Sequence, residues 1–171
     1  MSRRGEQDRF LDLVHEHQGI VRRVCSLYAT NRDERDDLYQ EIVLQLWRAY
    51  PSFRGDSKFS TWMYRVALNT ALLSRRRGAH RVRTTTEVDL ADAPAETPDR
   101  DDDDLRALYA AIRTLPTLDR AIVLLYLEQH SHDEIAAITG LATKNVGVRI
   151  VRIKKLLRER FGEPEAGENA V

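Results

Sequence analysis

The chain has 171 residues, 42% of them apolar, and its 27 basic and 27 acidic side chains sum to a net charge of zero. That is enough for one or two small domains, each with a modest core. No apolar run approaches the roughly 20 residues of a bilayer-spanning helix, and "MSRRGEQDRF" enters charged helix without the apolar segment of a signal peptide, so a globular, cytoplasmic protein without membrane insertion is expected.

In chain order, the first element is a helix over about Gln7 to Tyr28, because Phe10, Leu13, Val14, His17, Ile20, Val21, Val24 and Leu27 recur at spacings of three and four. Cys25, alone in the chain, falls on the apolar side of that helix, which excludes an internal disulfide or a Cys-rich zinc site and reads as a small core residue. A second helix runs from about Asp33 to Tyr50 with a stripe of Leu38, Ile42, Leu46 and Ala49. Its acidic start "DERDD" suits the positive end of the helix dipole, and Pro51 stops it. After the loop "PSFRGDS" comes a third helix with Ser57 or Ser60 as N-cap, Phe59, Trp62, Val66, Asn69 and Leu73 along one side, and Gly78 as its end. Trp62 reads chiefly as core.

From about Gly78 to Asp104 the periodicity fails, and "TTTEVDLADAPAETPDRDDDD" reads as an acidic flexible linker. Helical spacing returns at Leu105, Leu108, Ile112 and Leu115, and again after Pro116 at Leu118, Ile122, Leu125 and Tyr126. The charges are patterned. Arg75, Arg76, Arg77, Arg81 and Arg83 form one basic stretch, Lys144 to Arg160 contains another, and "ETPDRDDDD" lies between them. Two separated basic patches in a neutral chain point to a polyanion contacted twice.

The most specific local pattern is "SHDEIAAITGLATKNVGVRIVRIKKLLRERF". Ser131 and Glu134 make a capping box, Ile135 and Ile138 face inward, Ala136 and Ala137 admit a close neighbour, and Gly140 supplies a turn. Thr143 caps a second helix with a buried stripe of Val146, Ile150, Ile153 and Leu157, from which Lys144, Asn145, Val148, Arg149, Arg152 and Lys155 project outward. This is the pattern of a helix-turn-helix, whose second helix enters a major groove. An ordinary helical hairpin with a solvated basic face is the bland alternative, and Arg149 paired with an acidic neighbour such as Glu134 is its local form.

The stretch "DDLYQEIVLQLWRAYPSFRGDSKFSTWMYRVALNTALLSRRR", followed after the acidic linker by "LPTLDRAIVLLYLEQHSHDEIAAITGLATKNVGVRIVRIKKLL", resembles an extracytoplasmic-function (ECF) RNA polymerase sigma factor of the sigma-70 family. The resemblance covers nearly the whole chain. It implies an all-α protein of two small helical domains joined by an acidic flexible linker: region 2 over 1–80, the linker over 81–104, region 4 with its helix-turn-helix over 105–162, and a disordered tail over 163–171. Region 2 of that family binds the polymerase clamp and opens the upstream part of the promoter bubble; region 4 binds the minus-thirty-five element and the polymerase flap. One departure is that the family's commoner T-V-K-S-R-L-x-R-A-R pattern has Gly147 and Val148 here in place of Lys and Ser, which leaves the base preference open.

By resemblance, core polymerase meets Asp37, Leu38, Gln40, Glu41 and Leu44. The upstream bubble meets Phe53, Arg54, Lys58, Tyr64, Arg65, Asn69, Arg75, Arg76 and Arg77, and the upstream element meets Lys144, Asn145, Val148, Arg149, Arg152 and Lys155. Extracting a base costs a few kcal/mol of stacking, so a melting surface needs apolar pockets as well as cations. The expected partners are core RNA polymerase, promoter DNA and a separate anti-sigma factor. No catalytic residue, metal or cofactor is expected: Asp101 to Asp104 are consecutive and cannot converge on one cation, and His15 with His17, like His130 with His132, are two apart and point to different faces of a helix. A helix-turn-helix repressor acting without polymerase is the remaining alternative.

Overall fold

The computed structural model describes residues 3–84 and 103–161, with side chains over 4–78 and 103–160. Every described element is helical, and the chain divides into two compact units after Asp102. The expected linker lies outside the described residues from 85 to 102, as does the tail from 162 onward.

The first unit contains α1 (Arg3–Glu16), α2 (Gln18–Tyr28), α3 (Arg32–Ala49), a 3-10 turn (Tyr50–Ser52) and α4 (Phe59–Thr84). The single first helix expected from the sequence is thus two. The stripe runs through both, but His17 leaves helical geometry at φ −104 and ψ 14, and Gly19, two residues on, weakens the local helix propensity. Phe10 and Val14 of α1 and Ile20, Val21, Val24, Cys25 and Leu27 of α2 are buried.

Helix α3 is capped by Asn31, whose side chain accepts the Glu34 amide hydrogen at 2.8 Å, while Glu34 Oε2 accepts from the amide and hydroxyl of Thr30. Of its expected stripe, Leu38, Ile42 and Leu46 are buried and Ala49, at the end of the helix, is half-buried.

Helix α4 departs further from expectation. The buried side is Thr61, Met63, Tyr64, Ala67, Leu68, Thr70 and Ala71, not the side carrying Val66, Asn69 and Leu73. Small residues decide this: Ala67 and Ala71 are fully buried where α4 packs between α2 and α3, since short side chains let helix axes approach. Gly78 does not end the helix, which continues to Thr84. An added Cβ there would meet nothing within 4 Å, so this glycine costs some helix propensity without breaking the helix.

The second unit contains α5 (Asp103–Arg113), α6 (Thr117–Leu127), α7 (His132–Thr139) and α8 (Thr143–Phe161). Asp103 and Asp104, expected in the linker, are the first turn of α5, where carboxylates suit the dipole. Ile112, Ile122, Leu125, Ile135, Val146 and Ile153 are its most deeply buried large apolar side chains. The expected capping box of α7 is complete: Ser131 Oγ accepts from the Glu134 amide, and Glu134 Oε2 accepts from the Ser131 amide at 2.8 Å. Gly140 ends α7 at φ 76, a conformation that excludes most side chains without strain. Thr143 does not cap α8 as expected. It is that helix's first residue, and its hydroxyl donates to Asp133 Oδ1 at 2.8 Å, fastening the start of α8 to the start of α7.

Candidate functional site

Three surfaces carry the residues singled out from the sequence, two on the first unit and one on the second. On α3, Asp37 and Gln40 are exposed, Glu41 is half-buried and Leu44 is 45% exposed, while Leu38 is buried in the core stripe. Glu41 is engaged by Arg77, whose Nη2 lies 3.2 Å from Glu41 Oε1. A residue expected to face polymerase and one expected to face DNA therefore pair with each other. Beside Gln40 and Leu44 lies a groove of about 410 Å³ between α1 and α3, lined by Phe10, Leu11, Val43 and Trp47 among others. Leu11 is 51% and Trp47 39% exposed. The sequence reading passed over both, although the signal was there: Leu11, Leu44 and Trp47 are large apolar residues off the stripes that fill the core.

The second surface is the outward face of α4 and the loop before it. Lys58, Trp62, Arg65, Asn69, Leu73 and Arg76 follow one another at spacings of three and four, so they share one face, and all are exposed except the half-buried Trp62. Trp62, expected chiefly as core, is at the edge of an aromatic cluster: its ring lies 5.2 Å from those of Phe53 and Phe59 and 6.5 Å from that of Tyr50. Phe53 and Phe59 pack edge to face at 5.5 Å. Phe53 is thus half-buried against this cluster rather than extended into solvent, and Arg54 stands exposed next to it.

Tyr64, expected among the bubble contacts, is 2% exposed and belongs to the core. One step further along α4, Arg65 is exposed. The three arginines diverge: Arg76 is exposed on the shared face, Arg75 is half-buried with Nη1 3.4 Å from the Tyr28 carbonyl, and Arg77 turns to Glu41.

The third surface is α8. Lys144, Asn145, Arg152 and Lys155 are exposed, and Val148 and Val151 are 64% and 69% exposed. Arg149 and Arg152 share a partner that the sequence reading did not name. Arg149 Nη1 donates to Asp119 Oδ1 at 2.6 Å and Arg152 Nη2 to Asp119 Oδ2 at 2.8 Å. Glu134, weighed as Arg149's partner, is instead occupied in the capping box of α7. Asp119 lies on α6 with no exposed surface, and two guanidinium groups offset the cost of burying its charge. Lys154, on the flank, hydrogen-bonds the Tyr126 hydroxyl at 2.6 Å.

Residues 13–81 match the sigma-70 region 2 family and residues 105–157 the sigma-70 region 4 family. The chain is 33% identical to the ECF RNA polymerase sigma-E factor of Escherichia coli K12, over 90% of this chain and 87% of that protein. It is 31% identical to the RNA polymerase sigma-H factor of Pseudomonas aeruginosa, over 90% of this chain and 86% of that one. Among solved structures, the sigma factor RpoE in complex with the anti-sigma factor NepR from Bartonella quintana superposes with a TM-score of 0.78 at 22% identity, covering 92% of this chain and 99% of that one. The structure of CnrH with the cytosolic domain of CnrY does so with a TM-score of 0.64 at 25% identity, covering 91% and 88%. With a region 2 unit, a region 4 unit and full-length ECF relatives, the chain belongs to the ECF sigma factors of the sigma-70 family, alternative sigma factors that direct transcription initiation with RNA polymerase.

Proposed function

We propose a division of labour among the three surfaces. The groove between α1 and α3, rimmed by Asp37 and Gln40, takes core RNA polymerase through Leu44 and its apolar neighbours. The outward face of α4 then receives the non-template strand of promoter DNA, and α8 docks in the major groove of the upstream element. The chain acts in the cytoplasm as a transcription regulator with no chemistry of its own, and a separate anti-sigma factor restrains it; the NepR and CnrY complexes of the similar sigma factors support that last assignment.

The observation that carries the melting role is the α4 face, where Lys58, Arg65 and Arg76 stand in line with Trp62 and Asn69. Duplex DNA wears its charge outside and its aromatic bases inside, so an opening surface must offer cations for phosphates and an apolar or amide surface for the extracted base. This face has both. Asn69, on the outside of α4 and away from the core, can be changed without disturbing the fold. Asn69→Ala should lower open-complex formation about tenfold on duplex templates, the equivalent of about 1.4 kcal/mol, and leave a template with a pre-opened bubble nearly unaffected. Equal loss on both templates would withdraw the base-capture role.

A further inference from the structure

We infer that Asp119 is a positioning residue for promoter reading: it fixes the guanidinium groups of Arg149 and Arg152 before DNA arrives, and so sets how sharply α8 discriminates bases. The inference deepens the reading of α8 as the DNA-facing helix and rests on it.

Asp119 is an unusual residue for its place. It lies in "TLDRAIVLLYL", where Ala121, Ile122, Val123, Leu124 and Leu125 are buried, and it is itself 0% exposed. An isolated carboxylate there would be strongly destabilising, and its two partners come from one face of α8 at a spacing of three. Both arginines nevertheless keep a solvent edge: the Arg149 side chain is 33% and that of Arg152 56% exposed. The carboxylate thus holds one nitrogen of each guanidinium while each side chain keeps exposed surface that DNA could meet.

The donor atoms differ between the two. Arg149 gives Nη1 to Asp119, which leaves its Nε–Nη2 edge, the parallel pair of donors suited to a guanine's O6 and N7, uninvolved in that contact. Arg152 gives Nη2, which splits that edge and leaves Nη1, a donor suited to a phosphate oxygen. An unrestrained arginine carries rotamer freedom that must be lost on binding and can swing to acceptors on a wrong base. A pre-ordered one does neither. Asp119 therefore makes Arg149 the reader and Arg152 the anchor.

The test uses holoenzyme reconstituted from the full chain, with upstream-element variants changed one base pair at a time at fixed salt. Asp119→Asn keeps the volume and removes the charge. It should reduce discrimination about tenfold at the same base pair where Arg149→Ala does, while affinity for mismatched elements hardly changes. Wild-type discrimination by Asp119→Asn beside a loss in Arg149→Ala would overturn the positioning role and spare the reading of α8. No change in either variant would remove both. A uniform loss on every sequence, tracking a fall in melting temperature, would make Asp119 a structural residue only and also overturn the inference. Should Asp119→Asn not fold, NMR of the wild-type free chain decides: the Nε–H groups of Arg149 and Arg152 must be rigid beside that of exposed Arg158, and equal mobility of all three would sink the proposal.

Discussion

Cys25 has no exposed surface, and burial pushes its thiol up to about 12 against the opposing pull of Arg35. A thiol that holds its proton so firmly is a poor nucleophile, so iodoacetamide at pH 8 should leave the native protein unmodified and alkylate it only in denaturant. The same proton gives a pH dependence. The folded state binds it more tightly than a thiol at the ordinary value of 9.0, so the thiol's contribution to stability is complete below about pH 9 and is lost as pH climbs toward 12. Rapid native alkylation at pH 8 would contradict the buried placement. The lone cysteine's core role was readable from its position in a stripe. What single residues did not reveal was partnership at a distance: Arg77 with Glu41 and Arg149 with Asp119 join positions 36 and 30 apart in the chain. Periodicity describes one helix at a time, and neither pair exists until two helices pack. Tyr64 and Arg65 teach a related lesson, since one step along α4 turns a side chain by more than a quarter of the helix circumference and separates core from solvent.

Helix ends and helix faces differed in legibility. The capping box at Ser131 and the left-handed Gly140 follow from local chemistry and were readable, because both bonding partners lie within a few residues. The end of α6 was not, since a glutamine takes the role usually given to glycine. Gln129 has φ 64, its amide donates to the Tyr126 carbonyl, and the His130 amide reaches back to the Leu125 carbonyl, the paired bonds of a Schellman motif. Gln129→Gly should therefore raise stability by about 1 kcal/mol, read as a higher denaturation midpoint with unchanged slope; a lower midpoint would show that the glutamine side chain contributes more than its backbone strain costs. Gly147 on α8 offers a second measurement at this scale. An added Cβ would meet His132 Nδ1 at 3.6 Å, an ordinary contact, so packing within the unit gives no reason for the glycine. Gly147→Ala should stabilise by up to about 1 kcal/mol. If promoter affinity falls in that more stable variant, the glycine serves close approach to DNA; undiminished affinity would remove that role. The buried face of α4 was misread for a further physical reason: Thr61, Ala67, Thr70 and Ala71 are buried because small residues permit close helix packing, whereas the larger Val66 and Leu73 drew the stripe to the wrong side.

At the scale of the molecule, two helical units and their order along the chain were legible, because each unit has its own apolar periodicity and the acidic, Pro- and Thr-bearing stretch between them has none. The surface proposed for polymerase was only half legible. Its polar rim, Asp37 and Gln40, follows from one helix, but the groove that adjoins it requires α1 and α3 together. With Leu11, Leu44 and Trp47 each more than a third exposed, that groove supports the proposal that core polymerase is gripped by apolar contact within a polar rim. The most direct test is competition between the wild-type chain and Leu44→Glu for core RNA polymerase. Leu44 is 45% exposed, so the substitution should leave the helical content of the free chain unchanged. It would place a charge in the centre of the contact, and the expected loss of affinity is at least about thirtyfold, the equivalent of about 2 kcal/mol for a central interface side chain. Competition by Leu44→Glu at the wild-type concentration would contradict the account, as would failure of the wild-type chain to bind core polymerase at all.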